Sequence, residues 1–210
     1  MSALAAAKTS NATIKWLAAP TSDAWLEQAI AHPLELLIDH AHCERKAAGA
    51  VVQLMFRYLC EPGLAEVLSP LAREELEHFE IVLRELDRKK IDFVPQKPSP
   101  YGQKVHRVIR DEEPAKLLDT LLCCAVIEAR SCERLSLLSE ELEDLGLREL
   151  YKDLLAAEAR HHRIYVELAR EISSAGFEDR LLEICSHESN VISRAQNLPR
   201  LHSGAGFIGS

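Results

Sequence analysis

Apolar residues recur along this chain at alternating steps of three and four, the spacing that lines side chains up on one face of an α-helix. One such stripe runs through Leu34, Leu37, Ala41, Glu44, Ala48, Val51 and Met55, and a second through Leu64, Leu68, Leu71, Glu75, His78 and Val82. A third takes in Leu117, Leu121, Cys124, Glu128, Ser131, Leu135, Leu138 and Leu142. A fourth follows Leu147, Tyr151, Leu154, Glu158, His161, Tyr165, Leu168 and Ile172. Helix signals set the ends. Thr21 or Ser22 caps a short helix that closes near Ala31, and Pro33 opens a long one that runs to about Cys60 and stops at Pro62-Gly63. The next reaches about Lys90, with a kink or restart at Ser69-Pro70. Pro95, Pro98, Pro100 and Gly102 make residues 91–113 a long connection with one helical turn near Val105. Pro114 opens a third long helix to about Leu142, and Gly146 separates it from a fourth that ends near Ser173. A fifth helix spans 177–195, and no stretch alternates as a strand would. The expectation is an all-α chain. A weakly structured lead (1–20) precedes a bundle of four long helices with short additional helices at both ends (21–195), and a tail (196–210) follows.

Each stripe carries a carboxylate at its centre, and two carry an imidazole one turn later. An ionised Glu buried without a partner costs several kcal/mol, so positive charge must meet it. Glu75 and His78 form one Glu-x-x-His, and Glu158 and His161 form another 83 residues on. Glu44 and Glu128 are 84 residues apart, so the chain reads as a duplicated helix hairpin. Glu133 competes with Glu128, and His162 with His161. Five residues turn a helix by about 140°, so Glu128 and Glu133 cannot share a face, and the stripe favours Glu128. It favours His161 in the same way. Two Glu and two Glu-x-x-His pointing inward from four helices is the donor set of a di-iron or di-manganese bundle, four carboxylates offsetting two divalent cations. The expected ligands are Glu44, Glu75, His78, Glu128, Glu158 and His161. Glu74, directly before Glu75, is expected to take the free N–H of His161. Ala157 stands in the matching place of the other half, and Tyr165 is expected beside the ligands on the fourth stripe.

Composition narrows the picture. A chain of 210 residues, 47% hydrophobic and 28% charged, fits one globular domain. A net charge of -8 argues against general nucleic-acid coating, though not against a local basic patch. The six cysteines form no Cys-x-x-Cys pair, which removes zinc-ribbon and rubredoxin-type sites, and free thiols in a reducing cytoplasm are expected. No apolar run is long enough for a membrane span, and no signal peptide is expected.

Four strings carry a family resemblance: Asp39-His40-x-x-Cys43-Glu44-x-Lys46-Ala47-Ala48, Leu71-Ala72-Arg73-Glu74-Glu75-Leu76, Ile127-Glu128-Ala129-Arg130-Ser131-Cys132-Glu133-Arg134 and Glu158-Ala159-Arg160-His161. They closely resemble the tRNA 2-methylthio-isopentenyl-adenosine hydroxylases, often called MiaE. The tail Arg200-Leu201-His202-Ser203-Gly204 is similar too, with Leu201 where an aromatic is expected. The likeness covers roughly residues 20–205. Its Glu and Glu-x-x-His frame is shared by all ferritin-like proteins, whereas the Glu-Ala-Arg-Ser-Cys-Glu-Arg string and the His-Ser-Gly tail are narrower. The resemblance implies a ferritin-like four-helix bundle with two iron ions and O2 as co-substrate. It implies hydroxylation of the isopentenyl group on the modified adenosine just 3′ of the tRNA anticodon. No flavin or iron–sulfur motif is present, so an external reductase is expected to supply electrons.

A tRNA substrate needs phosphate contacts. Residues 84–110 hold eight cations against three acids, a net +5 in a chain whose total is -8. Arg88, Lys89, Lys90, Lys97, Lys104, Arg107 and Arg110 are the expected contacts, with Phe93 and Tyr101 available to stack on loop bases. Arg194 and Arg200 come next. His106, His187 and His202 have no ligand spacing and read as surface or structural residues. Two other classes use similar donors: a ferroxidase or iron-storage protein, which forms a large shell, and a di-manganese catalase or peroxidase. The hydroxylase reading expects a monomer or small homo-oligomer.

Overall fold

The computed structural model describes residues 15–204, apart from positions 98, 174 and 197. Among them are seven α-helices and no β-strand: α1 (Asp23–Ala31), α2 (Pro33–Arg57), α3 (Leu64–Arg88), α4 (Tyr101–Val105), α5 (Ala115–Glu141), α6 (Leu145–Ile172) and α7 (Phe177–Ser193). A 3-10 turn, His106–Val108, follows α4. Ser22 caps α1 by accepting from the Trp25 N–H, and Pro33 occupies the first turn of α2. Gly63, at φ 76°, supplies the left-handed turn that launches α3.

Two expected boundaries differ. Gly146 does not divide α5 from α6; it lies in the first turn of α6, because Asp144 caps that helix from the Leu147 N–H at 3.1 Å. Pro70 does not break α3 either. It comes less than two turns into the helix, and the burial of Leu68 and Leu71 on either side holds the segment down. The first stripe frays at its start, where Leu34 is 42% exposed, and Cys60 is exposed in the turn after α2. Residues 1–14 of the expected lead and 205–210 of the tail lie outside the described residues. From Lys15 onward the lead is anchored: Trp16 and Leu17 pack on the core, and the Ala19 carbonyl accepts from Arg130 at 2.9 Å.

The four long helices form two hairpins, α2 against α3 and α5 against α6, with α3 meeting α6 between them. Two apolar clusters fill the bundle. One contains Val51, Leu71, Cys124 and Tyr165, and the other contains Ala41, Val82, Leu135 and Leu154. On every long helix the expected ligands fall where one cluster gives way to the other. The order of crossing also gives the directions. α2 and α6 pass from the second cluster to the first, whereas α3 and α5 pass from the first to the second. The successive long helices α3 and α5 are therefore parallel, and the chain between them must travel the length of the bundle. That is why the Pro-rich connection is long, and it makes the fold a ferritin-like four-helix bundle with one crossover. Short helices α1, α4 and α7 pack against it, α4 and α7 touching each other.

Candidate metal centre

Glu75, His78, Glu158 and His161 each aim one donor atom into a common space, and those four atoms lie within 4.8 Å of one another. All four residues are buried. His161 Nδ1 stands 2.9 Å from Glu75 Oε1, and His78 Nδ1 stands 3.4 Å from Glu158 Oε1 and 3.5 Å from Glu44 Oε2. Neither Nδ1 atom has hydrogen-bond geometry to a partner among the described residues, and Glu75 Oε1 is orphaned as well. Buried polar atoms are rarely left this way. Converging lone pairs that fail to bond to each other fit a cation between them. Glu128, buried on α5, completes the ring beside Glu75 and Glu158. Glu133 points elsewhere: it accepts from the Thr21 hydroxyl at 2.7 Å and pairs with Arg130 at 2.5 Å. His162 turns away too, with Nδ1 3.3 Å from its own helix's Glu158 carbonyl.

The electrostatics agree with a cation site. Burial, and then Glu158 and Glu44, push the Glu75 carboxyl up to about 8, against the pull of His161. Burial followed by Glu75 and Glu158 holds Glu128 well above the carboxylate range. Burial acts to lower His78, but its contacts to Glu158 and Glu44 outweigh it and hold the ring near 10. Protons are thus retained where carboxylates crowd without enough positive charge. Two divalent ions would supply four charges to four carboxylates, so the donor set fits the group the sequence implies.

Around the cluster, Glu74 Oε2 lies 3.0 Å from His161 Nε2 and 3.1 Å from Arg160 Nη2. Tyr165 is buried beside a cavity of about 250 Å3 that also touches Glu44, Glu75, Glu128 and Glu158. Ala47, Ala50, Ile127 and Leu201 give that cavity an apolar wall. Two residues near it were not singled out by spacing. His40, one turn before Glu44, places Nε2 2.5 Å from Glu44 Oε1 and stacks on Tyr151. The signal for it was present, since four residues along a helix return to the same face. His202 is neither superficial nor remote. It is buried, stacks on Tyr101 with ring centroids 4.6 Å apart, and sets Nε2 3.1 Å from Ser131 Oγ.

The model of the tRNA-(MS[2]IO[6]A)-hydroxylase (MiaE) family matches residues 8–203. The chain belongs to the MiaE family. A MiaE relative from Pseudomonas putida, tRNA 2-(methylsulfanyl)-N(6)-isopentenyladenosine(37) hydroxylase, is 41% identical over 90% of this chain and 92% of its own. The enzyme of the same name from Salmonella typhimurium is 29% identical over 93% and 90%. Among solved structures, "Protein 43 with aldehyde deformylating oxygenase activity from Synechococcus" superposes with a TM-score of 0.88 at 51% identity. The match covers 94% of this chain and all of that one.

The basic segment divides when seen in space. Arg88 is bound twice by Glu85 at 2.7 Å, Lys89 is paired with Asp144, and Arg110 is held by Asp119 at 2.7 and 2.9 Å. Lys90, Lys97, Lys104 and Arg107 make no ion pair among the described residues. Neither aromatic expected to stack on bases is free. Phe93 packs on His42 and Phe79, and buried Tyr101 donates its hydroxyl to Glu188 at 2.9 Å. No helix is long and apolar enough to cross a membrane among the described residues.

Proposed function

We propose that this protein is a non-haem di-iron, O2-dependent monooxygenase that hydroxylates the isopentenyl group of 2-methylthio-isopentenyl-adenosine in the anticodon loop of tRNA. The observation that carries the reading is the buried Glu/His ring opening onto an apolar cavity of about 250 Å3, in a chain of the MiaE family. Glu44, Glu75, His78, Glu128, Glu158 and His161 would hold the two irons, which when bound and reduced supply O2 activation and transfer of one oxygen atom to a C–H bond. The chain's own part is placement. Ala47, Ala50, Ile127 and Leu201 offer an apolar surface to a branched five-carbon group, and Tyr165 lines the same space as the carboxylates. Glu74 orients His161 so that Nδ1 faces inward. Electrons come from a separate reductase, because nothing in the sequence holds a flavin or an iron–sulfur cluster.

A second reading has one observation in its favour. The Synechococcus protein described by its aldehyde deformylating oxygenase activity is 51% identical to this chain, and on this reading the apolar cavity would take the aldehyde's alkyl chain. The two readings share a metal chemistry and differ in substrate. Ferroxidase or catalase function is not favoured by any of the similar proteins. Mass spectrometry of nucleosides in tRNA from cells with and without the protein tests the first reading. Loss of the hydroxylated nucleoside supports it, and an unchanged profile overturns it. Purified protein, loaded with about two irons per chain, is then offered the modified tRNA and a medium-chain aldehyde side by side. Alkane formation without tRNA hydroxylation would favour the second.

A further inference from the structure

A second cavity, of about 310 Å3, adjoins the first on the side away from the Glu/His ring, none of whose residues it touches. Ser99, Tyr101 and His202 line both, so three residues form the partition between them. The outer cavity contains Lys97, Lys104 and Arg200 and no Asp or Glu, in a chain with 33 acids and 25 cations. Arg200 is committed inward, to Asp39 at 3.3 Å. Lys97 is exposed, Lys104 half-buried, and neither is neutralised by a carboxylate among the described residues. The partition is tied together by its own contacts. His202 stacks on Tyr101 with only 8° between ring planes, Ser99 Oγ donates to the His202 carbonyl at 3.3 Å, and Ser131 fixes the imidazole.

An apolar chamber at the Glu/His ring and an adjoining chamber with two unpaired lysines match the two ends of one molecule. A prenylated purine nucleotide has an apolar branch, a planar base and a phosphate, in that order. A fatty aldehyde has no use for the cations. Resting on the tRNA reading above, we propose that the outer cavity is a phosphate subsite for the substrate RNA, with Lys97 and Lys104 contacting the backbone next to the reacting nucleotide. This places the RNA contact beside the site, and away from Arg88, Lys89 and Arg110, whose charges are already satisfied.

The test uses full-length, iron-loaded protein and an anticodon stem–loop RNA carrying the modified adenosine, with the free modified nucleoside as a phosphate-free probe. Affinity is measured over a salt series for the wild type, Lys97→Ala/Lys104→Ala, Lys97→Arg/Lys104→Arg and Lys152→Ala, an exposed charge on α6. Each lost phosphate contact lowers the slope of log K against log salt by about 0.7–0.9. The double Ala variant is expected to lose about 1.5 from the slope and tenfold or more in RNA affinity at low salt. Its KM for RNA should rise while kcat changes less than twofold, and the ratio of RNA to nucleoside affinity should fall. The Arg pair and Lys152→Ala should keep the wild-type slope. The side chains removed make no internal ion pair, and the Lys104 carbonyl that meets His187 survives substitution, so folding is preserved. If the wild type hydroxylates the RNA and the double Ala variant keeps its affinity and slope, the subsite is overturned alone. If the wild type neither binds nor hydroxylates the RNA, the tRNA reading fails and the subsite falls with it.

Discussion

Replacing Glu74 with Gln separates orientation from ligation. Glu74 is not in the ring; its Oε2 meets His161 Nε2 at 3.0 Å, and its side chain is 38% exposed. By accepting from Nε2 it fixes the tautomer that leaves the Nδ1 lone pair facing Glu75, 2.9 Å away. Gln keeps an acceptor oxygen and nearly the same shape but loses the negative charge and offers an amide that can turn the wrong way. Partners of this kind are worth about ten- to a hundredfold in metal affinity, or roughly 1.4–2.7 kcal/mol. The metal-free fold should scarcely notice, because what is lost is a partly exposed pair with Arg160 of about 1 kcal/mol or less. The assay is an anaerobic Fe(II) titration against a competing chelator, with the Tm of the metal-free protein alongside and the exposed Glu77→Gln as control. A Glu74→Gln protein that binds iron within twofold of wild type would refute the argument. So would one whose weakened binding is matched by a large fall in the metal-free Tm.

Three further outcomes are expected. Glu128→Ala should strip bound iron while Glu133→Ala leaves metal content near two per chain, read by elemental analysis; the reverse result would mean the helix register is misassigned. Gly204→Ala should lift the tail, because a Cβ there would land on the Ile192 carbonyl oxygen and, at 2.7 Å, on that of Ala195. Faster proteolysis of the C terminus together with lost nucleoside turnover would show it, and an unchanged digest would count against it. Asp119, gripped by Arg110 and Arg180, is held down at about 2 from its ordinary 3.8, the two guanidiniums outweighing a burial penalty that acts upward. A depressed carboxylate stabilises the fold above its unfolded value and loses that contribution as pH falls from about 4 towards 2. Asp119→Asn should therefore cost about 3 kcal/mol in urea unfolding at pH 6 and much less at pH 2.5. An equal cost at both would contradict it.

The buried Glu/His cluster was legible because buried charge on an apolar stripe is rare, and the 83-residue repeat made chance coincidence improbable. The path of the crossover was not. Composition marked residues 91–113 as a connection but could not say that it spans the bundle. Counting charges along the chain overstated the basic patch, since Lys89 and Arg110 are matched by Asp144 and Asp119, 55 and 9 residues away. His202 escaped for a related reason. Ligand spacing looks along one helix, whereas its partners Ser131 and Cys43 are 71 and 159 residues distant.

Those distances also explain why the narrower strings accompany the frame. In Glu128-Ala129-Arg130-Ser131-Cys132-Glu133-Arg134, Glu128 faces the ring, while the polar residues that follow hold the segments around Thr21 and Leu201. Arg130 reaches the Ala19 carbonyl and Glu188, both at 2.9 Å, and Glu133 takes Thr21. Arg134 donates to the Leu201 carbonyl and lies 4.2 Å over Trp25, whose indole N–H meets the Arg200 carbonyl at 3.0 Å. Asp39, in the string before Glu44, accepts from the Leu201 N–H at 2.8 Å. Buried ion pairs of this kind add little net stability, yet losing one partner is costly, so their effect is to fix one arrangement of the tail. That arrangement puts Leu201 in the wall of the inner cavity and His202 in the partition. The Glu and Glu-x-x-His frame can therefore be shared across proteins of different activity, since it would specify only the metals. In this chain the substrate would be chosen by the tail, and two of the four strings that resemble one family contain the residues that seat it.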